Sequence, residues 1–108
     1  MKKVMKLKPP QLLNNEEIMN KIQYLQNWEV VNFNFIKAIF KFKDFKDALN
    51  FVIKVGDIAE AMQHHPEIIL SPRKVEITIF TEDSGGLTDF DFEFAKKVNK
   101  INKLNKEQ

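Results

Sequence analysis

The chain has 108 residues, 44% of them hydrophobic and ten of them phenylalanine, which supplies a core and leaves room for one domain spanning 1–108 rather than two. Seventeen basic residues against fifteen acidic ones leave a formal charge of +2, too small an excess to point to nucleic acid as a partner. The absence of cysteine excludes disulfides, thiolate metal sites and cysteine nucleophiles at once.

Residues 1–13 read as an extended lead-in. Its basic start runs into Pro9-Pro10 instead of an apolar segment, so it is not a signal peptide. No apolar run approaches the roughly 20 residues that span a bilayer, so the expectation is a cytoplasmic protein without a membrane contact. Asn14 followed by Glu17 has the spacing of a capping box. Ile18, Ile22 and Leu25 then recur at helical spacing, predicting a short amphipathic helix to about Gln26. Segments 28–34 and 35–42 alternate as strands, with Ala38, Phe40 and Phe42 on one face and Ile39, Lys41 and Lys43 on the other. Asn32-Phe33-Asn34 is the turn between them.

The apolar stripe Ala48, Phe51, Val52, Val55, Ile58, Ala59 and Met62 predicts a long helix over 44–63. Gly56 in its middle costs about 1 kcal/mol against alanine and is expected to permit close packing. Pro66 closes the helix and 67–71 reads as a short strand. In 74–81, Val75, Ile77 and Ile79 face one way and Glu76, Thr78 and Phe80 the other. A loop over 82–86 leads to Thr88, an N-cap with Asp91 at the third position. The last helix carries Phe94, Ala95, Val98 and Ile101, and its end, 103–108, reads as a frayed Lys/Asn tail. The order α-β-β-α-β-β-α predicts an α+β two-layer sandwich, a four-stranded, mainly antiparallel sheet with helices on one face.

Both histidines of the chain stand side by side, His64 and His65, where the long helix meets Pro66. Histidine exchanges protons near neutral pH, its ordinary pKa being about 6.5. Glu60 lies four residues before His64, and so on the same helical face, where it would fix the tautomer of that ring. His65 falls about 100° further round, in line with Met62 and Ile58, at the edge of the core. A helix C-terminus also favours a cationic histidine for dipole reasons alone, and spacing leaves both readings open. No metal site is expected: two adjacent histidines rarely converge on one ion, and Glu82 or Asp83 would have to complete a two-His-one-carboxylate set. Gly85-Gly86 lacks the Lys-Ser/Thr of a phosphate loop and reads as a turn. The phenylalanines at 33, 35, 40, 42 and 45 read mostly as core.

Three runs in order, Glu60-x3-His-His-Pro-Glu, Lys74-Val-Glu-Ile-Thr-Ile and Thr81-x4-Gly-Leu-Thr-x2-Asp-x3-Ala95, resemble the pterin-4a-carbinolamine (4a-hydroxytetrahydrobiopterin) dehydratase family. Trp28 and the run Ile39-Phe40-Lys41-Phe42-Lys43-Asp44-Phe45 fit the same family, and the likeness extends from about Asn15 to Ile101. The resemblance implies a hydro-lyase that removes water from a 4a-hydroxytetrahydropterin, giving the quinonoid dihydropterin during tetrahydrobiopterin recycling. It implies that His64 is the principal acid–base group with Glu60 as its orienting partner. His65 would bind and orient the pterin, Pro66 would fix the turn, and Thr81 and Asp91 would contact the substrate. No metal or organic cofactor is implied, since the pterin is the substrate.

The family's third histidine is Glu82 here, a carboxylate in a catalytic position, and two frequent aromatic positions are Ile68 and a site near Pro72. Relatives form dimers that extend the sheet and tetramers built by helix packing, for which Phe80 and Phe92 are the expected contact residues. Two other readings stay open. Related domains act as dimerisation or assembly cofactors for other proteins, which Glu82 and Ile68 favour, and a ligand sensor without turnover would keep the pocket.

Overall fold

The computed structural model describes residues 9–106. Helix α1 (Asn15–Ile22) starts where the capping box predicts, with the Asn14 side chain accepting from the Glu17 N–H and the Glu17 carboxylate accepting from the Asn14 N–H, both at 2.8 Å. It ends at Ile22, short of the expected Gln26. Leu25 is buried all the same, carried inward by a turn in which its N–H donates to the Ile22 carbonyl at 3.0 Å.

Strands β1 (Trp28–Val31) and β2 (Phe35–Lys41) form the first hairpin, each shorter than predicted. Asn32 and Phe33 both take left-handed backbone, φ 52° and 57°, and the Asn34 N–H donates to the Val31 carbonyl at 2.9 Å. Two left-handed central residues make the turn type that matches strand twist, and they end the ladder at Val31. Helix α2 (Phe45–Met62) follows, capped by the Asp44 side chain on the Asp47 N–H. Strands β3 (Glu67–Ser71) and β4 (Lys74–Ile79) form the second hairpin, then come a 3-10 turn (Glu82–Ser84) and helix α3 (Asp89–Lys106).

Strand β4 stops two residues before its expected end, and Thr81 instead makes an isolated bridge to Gly86. Helix α3 has 18 residues, as many as α2, and stays regular to Lys106 through the segment read as a frayed tail. Residues 107 and 108 of that tail, and 1–8 of the lead-in, lie outside the described residues. Among the described residues no helix is long and apolar enough to cross a membrane.

The four strands form one sheet in the order β1-β2-β4-β3, every neighbour antiparallel, and the α+β sandwich is as predicted. Ile36 pairs with Ile79, Ala38 with Ile77 and Phe40 with Val75, so one face of the pleat presents an unbroken buried surface. Phe51, Val55 and Ala59 of α2 and Phe94, Ala95 and Val98 of α3 belong to the same buried cluster. On the other face Ile39 and Ile69 stay exposed. Phe40 packs against Phe51 with ring centroids 4.9 Å apart and the planes tilted by 50°, and meets Trp28 edge-on at 6.2 Å. The Trp28 indole N–H donates to Asn99 Oδ1 at 2.9 Å, tying β1 to α3.

Phe92, expected at an oligomer contact, is 4% exposed and belongs to the core, so the first turn of α3 is covered on the side opposite Phe94 as well. Of the phenylalanine group, Phe40 is buried whereas Phe33 and Phe45 are exposed. A Cβ placed on Gly56 would meet nothing within 4 Å, so no close packing inside this chain calls for glycine there.

Candidate active site

The site begins with the way α2 ends. Gln63 takes left-handed backbone, φ 54° and ψ 44°, its N–H donating to the carbonyls of Ala59 and Glu60, and the His64 N–H donates to the Ala59 carbonyl at 3.0 Å. Beyond Met62 the 100° helical step no longer holds, so the expected pairing of Glu60 with His64 is overturned. His64 Nε2 lies 2.6 Å from Asp91 Oδ1, and Glu60 Oε2 lies 2.5 Å from His65 Nε2. Glu60 therefore holds His65 and not His64, whose partner comes from another helix. Left-handed backbone costs a non-glycine residue about 1–2 kcal/mol, more for a β-branched one. Gln63→Val is therefore expected to destabilise by about 1 kcal/mol or more in denaturant titration, while Gln63→Gly does not destabilise.

The two pairs differ in burial. The His64 side chain is 14% exposed and Asp91 is fully buried, whereas His65 and Glu60 are 57% and 72% exposed. A pair as open as the second is worth about 0–1 kcal/mol, so it orients a ring and does little for stability. Asp91 is a buried carboxylate and must be satisfied by donors. Its Oδ2 accepts from the Thr88 N–H and from the Thr81 hydroxyl, both at 2.8 Å. Thr81 has one proton and gives it to Asp91, so across the 2.7 Å contact between the hydroxyls Thr88 donates to Thr81. The Phe90 N–H donates to the Thr88 hydroxyl at 3.3 Å. Asp91 also sits in the first turn of α3, where the helix dipole favours negative charge.

With donors arranged around it, Asp91 acts as acceptor, and the ring nitrogen of His64 facing it carries a proton. Nε2 is thereby committed, which leaves Nδ1 as the nitrogen available for proton exchange. Phe90 and Phe94 flank the ring, each with its centroid 6.4 Å away.

His64, His65, Thr81 and Glu82 come together around one cleft of about 290 Å³ between the end of α2, the start of β3 and the end of β4. Glu60, Pro66 and Asp91 do not line it: Glu60 holds His65, Pro66 precedes β3, and Asp91 lies behind His64. Asp91, expected at the substrate, is fully buried and bonds to His64, and the Thr81 hydroxyl donates to Asp91. Glu67, Thr78, Phe80 and Asp83 also line the cleft and were not singled out from the sequence as a group, because a strand pair and a turn distant in sequence bring them together.

The turn bearing Glu82 is pinned from two sides. Gly85 supplies φ 79°, and Thr81 and Gly86 exchange N–H to carbonyl bonds at 2.8 and 3.3 Å. Across it lies the segment before α1: the Leu13 N–H donates to the Leu87 carbonyl at 2.9 Å and the Ser84 hydroxyl donates to the Pro10 carbonyl. Three larger clefts, of about 370, 400 and 780 Å³, lie elsewhere; the first is lined mainly by apolar side chains, the other two mainly by lysine and asparagine, and none by histidine. Among the described residues no three His, Cys, Asp or Glu side chains converge as metal ligands.

These features define an α+β protein whose cleft is lined by acid–base side chains, one of them held by a buried carboxylate. The sequence profile of the pterin 4 alpha carbinolamine dehydratase family matches residues 11–101. A Rubrobacter xylanophilus protein provisionally named pterin-4-alpha-carbinolamine dehydratase is 42% identical over 93 residues, covering 86% of this chain and 85% of the relative. A Cyanothece sp. protein with the same provisional name is 44% identical over 94 residues, covering 87% and 96%. The crystal structure of a transcriptional coactivator/pterin dehydratase from Brucella melitensis superposes with a TM-score of 0.80 at 33% identity, covering 83% of this chain and 97% of that one. The chain belongs to the pterin-4a-carbinolamine dehydratase family.

Proposed function

We propose that the protein catalyses loss of water from 4a-hydroxytetrahydrobiopterin to give quinonoid dihydrobiopterin, as one cytoplasmic domain. The observation that carries this reading is His64, which lines the cleft and is held through Nε2 by the buried Asp91. Dehydration breaks the C4a–O bond, needs a proton on the departing hydroxyl, and releases the proton of N5 as the C4a–N5 double bond forms. A histidine in contact with both positions serves either transfer, an effect of about 10²- to 10⁴-fold. His65, steadied by Glu60 at the mouth, orients the pterin, and Pro66 sets the turn that presents both rings. Thr81, Thr88 and Asp91 position His64. The reaction requires no metal or organic cofactor.

Glu82 stands on the cleft wall as the third group able to exchange a proton with the substrate. Glu82→Gln is expected to slow turnover about tenfold or more with little change in KM. The reading itself is tested by stopped-flow absorbance on freshly generated 4a-hydroxytetrahydropterin. Acceleration above the buffer rate supports it, and a folded protein that leaves that rate unchanged overturns it.

Self-association of the chain is favoured by one observation. Phe45, Leu49 and Ile53 are 50%, 38% and 56% exposed and repeat every four residues along α2, with Gly56 on the same helical face. A glycine that nothing approaches within its own chain suits a second helix crossing there, so the protein is proposed to be a homodimer or homotetramer through this face or through the edge strand β3. Gly56→Leu is then expected to lower the mass measured by light scattering while leaving the circular dichroism of the fold intact. An unchanged mass would remove α2 from the interface.

A further inference from the structure

We infer that the cleft selects among hydroxypterins by charge, accepting those with an uncharged polyol side chain and rejecting those whose side chain ends in phosphate or carboxylate. This rests on the dehydratase reading and adds to it the class of substrate. Three of the groups lining the cleft are carboxylates, Glu67, Glu82 and Asp83, and none is lysine or arginine. All three are exposed, and none is in a salt bridge among the described residues. Each histidine, when protonated, is matched by a carboxylate of its own, His64 by Asp91 and His65 by Glu60, so neither offsets the other three.

The local sign opposes that of the whole chain, which is +2. Lysines cluster instead at two of the larger clefts, where Lys41, Lys43 and Lys54 line one and Lys96, Lys100 and Lys103 the other. An anionic side chain entering the cleft meets repulsion from three charges with no cation among the lining residues to receive it. The hydroxyls of a polyol, and the ring amino and N–H groups of a pterin, are donors that carboxylates accept. Exposed charges act through a screened field, so the discrimination must weaken as salt rises and the Debye length falls from about 30 Å at 0.01 M to about 3 Å at 1 M.

The test compares equilibrium binding of neopterin and neopterin 3′-monophosphate, stable oxidised pterins that differ only in the phosphate, by quenching of pterin fluorescence on the full chain. At 0.01 M salt the phosphate is expected to bind about tenfold more weakly, and the ratio should approach one at 1 M. Glu67→Gln/Asp83→Asn, which alters neither histidine nor its partner, should shrink the low-salt ratio by about half or more. Equal binding of the two pterins at low salt overturns charge selection and leaves the dehydratase reading standing. A ratio unaffected by salt overturns it as well, since a steric barrier is not screened. Failure of neopterin itself to bind overturns charge selection, while the dehydratase reading stands or falls on the stopped-flow rate.

Discussion

His64→Ala is expected to lower the rate constant for dehydration by about 10²- to 10⁴-fold, the usual contribution of a positioned acid–base group. The ring is the one acid–base side chain in the cleft held by a fully buried partner, and no second histidine backs it, since His65 is bonded to Glu60. Stopped-flow absorbance at saturating substrate isolates the chemical step, and added imidazole should restore part of the lost rate in this variant. A variant that kept more than half of the wild-type rate would show that the protons pass elsewhere, with Glu82 the next group to examine. Far less is expected from His65→Ala: a several-fold rise in KM, because His65 is proposed to orient the pterin from an exposed position.

Asp91 gives the second large effect, and its two informative variants separate stability from chemistry. Asp91→Ala leaves the Thr88 N–H, the Thr81 hydroxyl and His64 Nε2 without their shared acceptor in a buried place. Breaking a buried ionic network in this way costs about 3–5 kcal/mol, which denaturant titration will read directly. Asp91→Asn preserves the shape. Its single oxygen is best placed toward Thr81 and Thr88, which both donate, so its NH2 group faces His64 and demands an acceptor there. The proton of the ring then moves to Nδ1, and the nitrogen meant to accept from substrate becomes a donor. A fall in kcat of about 10²-fold or more with KM nearly unchanged is expected. The tautomer is visible in imidazole 15N shifts, which a purely structural role for Asp91 would leave as they are in the wild type.

Much of the scaffold was written locally. The capping box at Asn14 and Glu17, the Asp44 cap, and the alternation of Val75, Ile77 and Ile79 each involve residues within five positions of one another, so short-range hydrogen bonds and side-chain periodicity decide them. The histidine pair, Glu82 and the Thr-x4-Gly-Leu-Thr run were legible for the same reason, as an uncommon grouping of chemical types. Where the elements stop was harder to see. Phe33 and Gln63 adopt left-handed backbone without being glycine or asparagine, and composition gives no warning of that.

The partners of the histidines could not be read from the chain at all. Helical spacing put Glu60 beside His64, and that held only as long as the helix continued. One left-handed residue at Gln63 redirected both rings, and the carboxylate that then met His64 was Asp91, 27 residues away at the start of another helix. The sequence by itself determined which side chains are present and which faces are apolar, because those depend on neighbours along the chain. Only the tertiary structure decided which carboxylate holds which histidine and which carboxylates ring the cleft. Those contacts form where α2 ends against α3 and the Thr81–Thr88 loop, and they depend on how packed elements meet in space.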